Sequence, residues 1–440
     1  MPMTLLLNPI IVTMDGKRRV LRGKSILVNK EKIAAIADES ELRKKYDLRK
    51  CPVIDCSGKI ALPGFINSHT HAAMSLFKGI GHHNWDHIYK LMFPVERKLT
   101  PQDVYLLARL GVLEMLKGGT TCFADHYYFI SDVAKAAKEF GLRGVLGHTL
   151  MDIKGPHKGP KEFAKALKFN EEFSSDPLIT PCMAPHATET ITPEYLTKII
   201  ATAKRHNLLI HMHVAQTKSE YDYIGKTFSK TPVEYLRDMG AFDCRFMGAH
   251  CIYLSKSDTK IMAKHNASVT FTPSSEIVFE KLPPIQKMTD SGVNIALGTD
   301  CVGTSDLMSP LHEMKKAFYA LVQEYGPQCG LEPVRMLEMF TINAANALGL
   351  GDRIGSLETG KLADIVLLDS EVSEFNPIYD VITNVVLCSL ESHISAVMVN
   401  GNVVFKNHAP VFADEKEVIL SAHKRSAAII STIPAFKKLA

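Results

Sequence analysis

Two histidines one residue apart, His69-Thr70-His71, follow the short apolar run Ala61–Asn67. On a strand, residues two apart point the same way, so both imidazoles can reach one ion. His186 follows the run Ile179–Ala184, His213 lies within Leu208–Val214, His250 follows Arg245–Ala249, and Asp300 follows Gly292–Gly298. A single histidine at a strand end is more often a hydrogen-bonded structural residue than a ligand. Several such ends, one carrying a His-x-His pair and one an Asp, point instead to a divalent metal ion. Three imidazoles and one carboxylate suit Zn²⁺ or Fe²⁺. An ion held at such a mouth has room for water, lowers its pKa toward ~7 and turns it into a nucleophile. His211, two residues before His213 on the same strand face, reads as a core residue or a support for a ligand. His82, His83 and His87 lie in the loop after the first run and read mainly as loop residues away from substrate.

These side chains need a frame that brings distant segments together. Eight apolar runs, ending near Asn67, Ala124, Thr149, Ala184, Val214, Ala249, Thr272 and Gly298, alternate with helical stretches such as Pro101–Lys117, Asp132–Phe140, Pro193–His206 and Pro232–Met239. That alternation is the pattern of parallel βα units. Eight of them predict an α/β fold, a (β/α)₈ TIM-type barrel whose active-site face is the C-terminal ends of the strands. Both chain ends are β-rich. Thr4–Thr13, Ser25–Val28, Ile33–Ile36 and Pro52–Ile54 read as strands, as does Ala363–Leu368, and Asn400-Gly401 between Val-rich runs is a hairpin signal. The expected organisation is therefore a small β-sandwich domain from residues 1–60 and 361–412, a barrel over 61–360, and a C-terminal helix in 413–440, with Asp414–Ser431 as its helical stretch.

Composition excludes other classes. The formal charge is only +4, from 51 basic and 47 acidic residues, and the one dense basic stretch, Arg43–Lys50, reads as a solvated face rather than a nucleic-acid footprint. No run approaches the ~18 apolar residues of a membrane span. The apolar N-terminus lacks a basic leader and reads as a strand, not a signal peptide. Nine cysteines without a Cys-x-x-Cys pair argue against a disulfide framework or thiolate zinc site and fit a reducing cytoplasm.

The motifs resemble the amidohydrolase superfamily, and within it the methylthioadenosine/S-adenosylhomocysteine deaminases, guanine-type deaminases and triazine hydrolases. The resemblance spans nearly the whole chain: Leu62–His71 (LPGFINSHTH), Met92–Glu96, Gly118–Asp125, Ala184–His186, His213–Gln216, Gly248–Cys251, Ala296–Asp300 and Thr341–Asp369. It implies that His69, His71, His213 and Asp300 hold the metal and that Asp300 also accepts the proton of the attacking water. It further implies that His250 hydrogen-bonds that water or the developing oxyanion, and that His186 contacts the substrate ring or leaving group. Glu96 matches a glutamate that holds ribose hydroxyls in the nucleoside deaminases, although an exposed charge at a helix start accounts for it equally well. The strand that carries a bridging lysine in binuclear relatives has none here, which favours one ion. A homo-oligomer is also implied.

Three departures stand out. Gln216 occupies a position where the family usually has a glutamate that passes a proton to a ring nitrogen, and an amide does not titrate. Pro273–Glu276 reads PSSE where Pro-x-Ser-Asn is usual, and Cys301–Asp306 replaces a small, Asn-containing stretch. His148 stands where nucleoside deaminases commonly have arginine, and with Glu96, His186 and Gln216 it is expected to contact the substrate. The expected activity is hydrolytic deamination of a nitrogen-rich heterocycle, a purine or pyrimidine base or an adenosine-type nucleoside, at one Zn²⁺ (or Fe²⁺). A triazine-type hydrolase removing an amine or halide, and a metal-binding homologue without catalysis, are the alternatives.

Overall fold

A computed structural model describes residues 3–81, 88–327 and 330–433. His82, His83 and His87 lie outside the described residues. Among the described residues, eight parallel strands run through the middle of the chain: β1 (Phe65–Thr70), β2 (Thr120–Tyr127), β3 (Arg143–Leu150), β4 in two segments (Ile179–Pro181 and Ala184–Pro185), β5 (Ile210–Val214), β6 (Phe246–His250), β7 (Ser268–Phe271) and β8 (Asn294–Leu297). They pair in chain order as two groups, β1 to β4 and β5 to β8. Parallel bridges join the groups at both edges, Met183 with Ile210 and Ala187 with His213 on one side, Thr70 with Asp300 on the other. Burial of both faces explains why these strands read as continuous apolar runs rather than alternating ones.

The helices between them are stopped and started by side chains. Before Pro101–Lys117, the Thr100 hydroxyl accepts from the Asp103 amide while the Thr100 amide donates to the Asp103 carboxylate, and Pro101 fills the first position, where no amide donor is needed. Thr231-Pro232 repeats the device with Glu234, and Thr192-Pro193 repeats its hydroxyl and proline halves. Each cap contributes about 1 kcal/mol.

The two chain ends build two further sheets. One orders Lys32–Ala37, Ser25–Asn29, Thr4–Leu7 and Val53–Asp55. The other orders Ala409–Pro410, Asn402–Lys406, Ile394–Val399, Ile365–Asp369, Lys59–Pro63, Ile10–Val12 and Val20–Leu21. One apolar cluster draws on both, with Leu6, Ile26 and Val28 against Ile11, Ile365 and Met398. The Asn400-Gly401 hairpin forms as expected, with both residues at positive φ (52° and 77°). A side chain at Gly401 would meet the Lys30 carbonyl at 1.9 Å, so only glycine fits.

Two runs differ from expectation. Thr4–Thr13 is two strands in two different sheets, because Asn8 takes a left-handed conformation (φ 56°) ahead of Pro9. Ala61–Asn67 is likewise divided. Lys59–Pro63 pairs with Ile365–Asp369, and after Gly64, where an added Cβ would strike the Thr121 side chain, β1 begins. The C-terminal helix, Glu415–Ile430, starts on the Asp414 side chain and docks on Pro101–Lys117 through the ion pairs Arg425–Asp103, Arg109–Glu417 and Lys117–Glu415. No described helix is long and apolar enough to cross a membrane.

Candidate metal centre and active site

The bridge between Thr70 and Asp300 sets the site. It carries Asp300 alongside the end of β1, where Asp300 Oδ1 lies 3.6 Å from His69 Nε2 and 3.5 Å from His71 Nε2. Each expected ligand is oriented through its other ring nitrogen. His71 Nδ1 donates to the His126 carbonyl at 3.1 Å, and His213 Nδ1 to the His186 carbonyl at 2.9 Å. A carbonyl accepts only, so these contacts fix the proton on Nδ1 and leave the Nε2 lone pair free. His69 Nδ1 shares a 2.8 Å hydrogen bond with His211 Nε2, while His69 Nε2 is fully buried with no partner among the described residues. His211 thus holds the ring of a candidate ligand. Ligand atoms of His69, His71, His126 and His213 lie within 4.8 Å of one another, as do those of His69, His250 and Asp300. A buried, unpartnered imidazole nitrogen facing a carboxylate and further imidazoles fits a divalent ion.

The electrostatics agree with that fit. Burial pushes His69 down to about 4 and His186 to about 3, and holds His126, His211 and His213 well below the ordinary histidine range. These imidazoles are therefore neutral, the form that binds metal. His71 is the exception. Burial lowers it, but the Asp125 carboxylate and the Asp300 charge outweigh that and raise it. Asp300 is pushed up by burial, yet the close approach of the His69 ring and the charges of His250, His69 and His71 hold it well below the usual carboxylate range. Ser275 also donates to it at 2.8 Å. Ala215, His250, Cys251 and Asp300 all sit at positive φ, a cluster of backbone strain at the strand ends that is typical of functional sites.

Above the cluster opens a cavity of about 590 Å³, with Met74, Ile88, Met92 and Phe93 as apolar wall and Glu96, Tyr127, His186, Gln216, His250 and Glu276 among its polar lining. Glu96 is not an exposed helix-start charge. It is buried, accepts from the Tyr127 hydroxyl at 2.7 Å, and is pushed up by burial to about 7. His186 lines the cavity with Nδ1 3.2 Å from the Thr190 hydroxyl. Gln216 lines it too, on a turn held by Glu220, whose carboxylate accepts from the Ala215 and Gln216 amides at 3.0 and 2.8 Å. His148 does not join them. It pairs with Glu162 at 2.7 Å, away from the cavity lining.

Two cavity residues escaped the sequence reading. His126 belongs to β2, which continues to Tyr127 rather than ending near Ala124; alternation from Ala124 would have put His126 on the same face. Its Nε2 is buried and unpartnered. Glu276 was noticed only as a departure in PSSE, yet it is buried and faces His250, with Oε1 3.4 Å from Nδ1.

This chain belongs to the amidohydrolase family, whose model matches residues 60–404. It is 33% identical over 417 residues to the 5-methylthioadenosine/S-adenosylhomocysteine deaminase of Clostridium tetani, covering 94% of this chain and 96% of that one. Its fold is shared with an adenosine deaminase from Xanthomonas campestris with bound zinc (TM-score 0.92, 24% identity, covering 97% of this chain and 98% of that one). It is also shared with the zinc complex of an atrazine chlorohydrolase from Arthrobacter aurescens (TM-score 0.88, 22% identity, covering 96% and 100%).

Proposed function

We propose that this protein is a mononuclear metal-dependent deaminase, releasing ammonia from a carbon of a nitrogen-rich heterocycle, a purine or pyrimidine base or an adenosine-type nucleoside. The carrying observation is the pair of imidazoles, His69 and His71, whose Nε2 atoms converge on Asp300 while their Nδ1 atoms are engaged elsewhere. His69, His71, His213 and Asp300 would hold one divalent ion, Zn²⁺ or else Fe²⁺. When bound, the ion supplies a water whose pKa is lowered toward ~7.

The rest of the chemistry falls to the side chains. Asp300 takes the proton of the attacking water and delivers it to the departing amine. His250, its Nε2 unpartnered and its Nδ1 held by the Thr272 hydroxyl at 3.0 Å, hydrogen-bonds the water and then the growing negative charge on oxygen. His186 contacts the ring or leaving group. Glu96 and Tyr127, beside the apolar wall, exchange hydrogen bonds with ribose hydroxyls. Gln216 offers hydrogen bonds without titrating. We assign the frame as a (β/α)₈ barrel, since bridges link its two strand groups at both edges, with a β-sandwich from both chain ends and a C-terminal helix. We place the protein in the cytoplasm on its thiol usage, in keeping with which the eight described cysteines are free.

The chlorohydrolase's shared fold supports a second reading, a triazine-type hydrolase expelling an amine or halide. Purified protein assayed for ammonia over a panel of adenosine-type nucleosides, purine and pyrimidine bases and amino-triazines, with chloride release followed on chlorotriazines, separates the two. Ammonia from nucleosides or bases supports the first. Release confined to triazines overturns it.

A further inference from the structure

We propose that Glu276 is the acid that protonates the ring nitrogen of the substrate, a task that Gln216 cannot perform. The proposal rests on the deaminase reading above. When water adds to an amino-bearing ring carbon, the adjacent ring nitrogen gains an electron pair and needs a proton. The amide of Gln216 has none to transfer. Among the described residues the cavity is lined by three buried acids, Glu96, Glu276 and Asp300. Asp300 is committed to the histidine cluster, and Glu96 to the Tyr127 hydroxyl beside the apolar wall.

Glu276 is placed differently. It is 1% exposed, and its Oε1 accepts from the Thr272 amide at 3.2 Å and lies 3.1 Å from the Thr272 hydroxyl. Its other oxygen, Oε2, is buried and has no partner among the described residues, a carboxyl oxygen left over on a cavity-lining side chain. A buried acid with a spare oxygen keeps its proton unless something in the cavity takes it. The group that faces it is His250 from β6, and the Glu313 carboxyl, on the helix Pro310–Tyr325, interacts with it by charge. Burial raises the Glu276 carboxyl above the ordinary glutamate value, His250 drawing it back.

As the water oxygen bonds to carbon, the ring C=N π pair moves to nitrogen and takes the proton from Glu276 Oε2, while the water's first proton goes to Asp300. Asp300 gives that proton to the amino group, the C–N bond breaks and ammonia leaves. The hydroxyl left on carbon becomes a carbonyl as its proton returns to Glu276.

The test is kcat for ammonia release against pH in wild type, Glu276→Gln and Glu276→Asp, with metal content and melting temperature measured on each. Glu276→Gln is expected to keep its ion, lose roughly 10²–10⁴-fold in kcat, and lose the alkaline decline that marks deprotonation of the acid. Glu276→Asp is expected to be slowed while keeping that decline, and it decides the matter should the glutamine variant fail to fold. A Glu276→Gln or Glu276→Asp enzyme with wild-type kcat and an unchanged alkaline limb overturns the assignment and leaves the deaminase reading standing. No ammonia from the wild type over the whole panel overturns both.

Discussion

His71 Nε2 and Asp300 Oδ1 stand 3.5 Å apart at the ends of the first and last strands of the parallel set, and His69 Nε2 meets the same oxygen at 3.6 Å. Donor atoms bound to one ion at about 2.0–2.2 Å lie at such separations from each other. The backbone bridge between Thr70 and Asp300 imposes the approach, so this geometry is a property of the fold.

His211 tests how far that preorganisation extends. It shares a 2.8 Å hydrogen bond with His69 Nδ1 and so fixes which nitrogen of His69 is free. His211→Phe keeps the ring volume and removes the bond. Metal affinity, measured by competition with a chelator, is expected to fall by roughly 10–100-fold, with activity partly recovered at excess metal. Unchanged affinity would mean that His211 is only packing.

Glu96 makes a prediction about pH and stability. Burial lifts its carboxyl from an ordinary 4.5 to about 7, so the folded chain holds a proton there that the unfolded chain releases. Stability is full below about pH 4.5 and falls as pH rises through about 7, by up to roughly 3 kcal/mol from this group. Glu96→Gln removes the dependence. Urea unfolding at pH 5 and pH 8 should therefore show the variant gaining on wild type at the higher pH. A parallel pH response in the two proteins contradicts the buried-acid account.

Much of this site was legible because it is local in sequence. His-x-His on an apolar run, and His213, His250 and Asp300 at later strand ends, carry their own spacing, and the parallel sheet announces itself through runs buried on both faces. What was hidden depends on contacts across the chain. The ends of β1 and β2 were placed too early because polar residues there, Ser68, Asp125 and His126 among them, look like loop yet are buried. Composition and position left Glu96 undecided, and only its Tyr127 partner and burial settle its environment. His148 looked like a substrate contact, but Glu162, on the following helix, draws it aside. Asn8 and Gly64 divide apolar runs that periodicity joins, because backbone conformation and close packing, rather than polarity, send each half to a different sheet.

Gln216 should govern which substrates are used. It lines the cavity on a turn whose amides are held by Glu220, so replacing its side chain leaves the backbone anchored. Gln216→Glu is expected to retain the ion, shift the pH profile of kcat/KM, and reorder the heterocycle panel toward adenosine-like compounds. Identical profiles and an identical ranking would show that this side chain does not touch the chemistry.

The central claim is one catalytic ion held by His69, His71, His213 and Asp300. It is tested most directly by counting metal and ammonia on the same sample, for wild type and His69→Ala, before and after chelation. About one divalent ion per chain is expected in wild type. Ammonia release should vanish on chelation and return with added Zn²⁺ or Fe²⁺, and His69→Ala should lack both ion and activity. Two ions per chain, or full ammonia release by metal-free protein, would contradict the account.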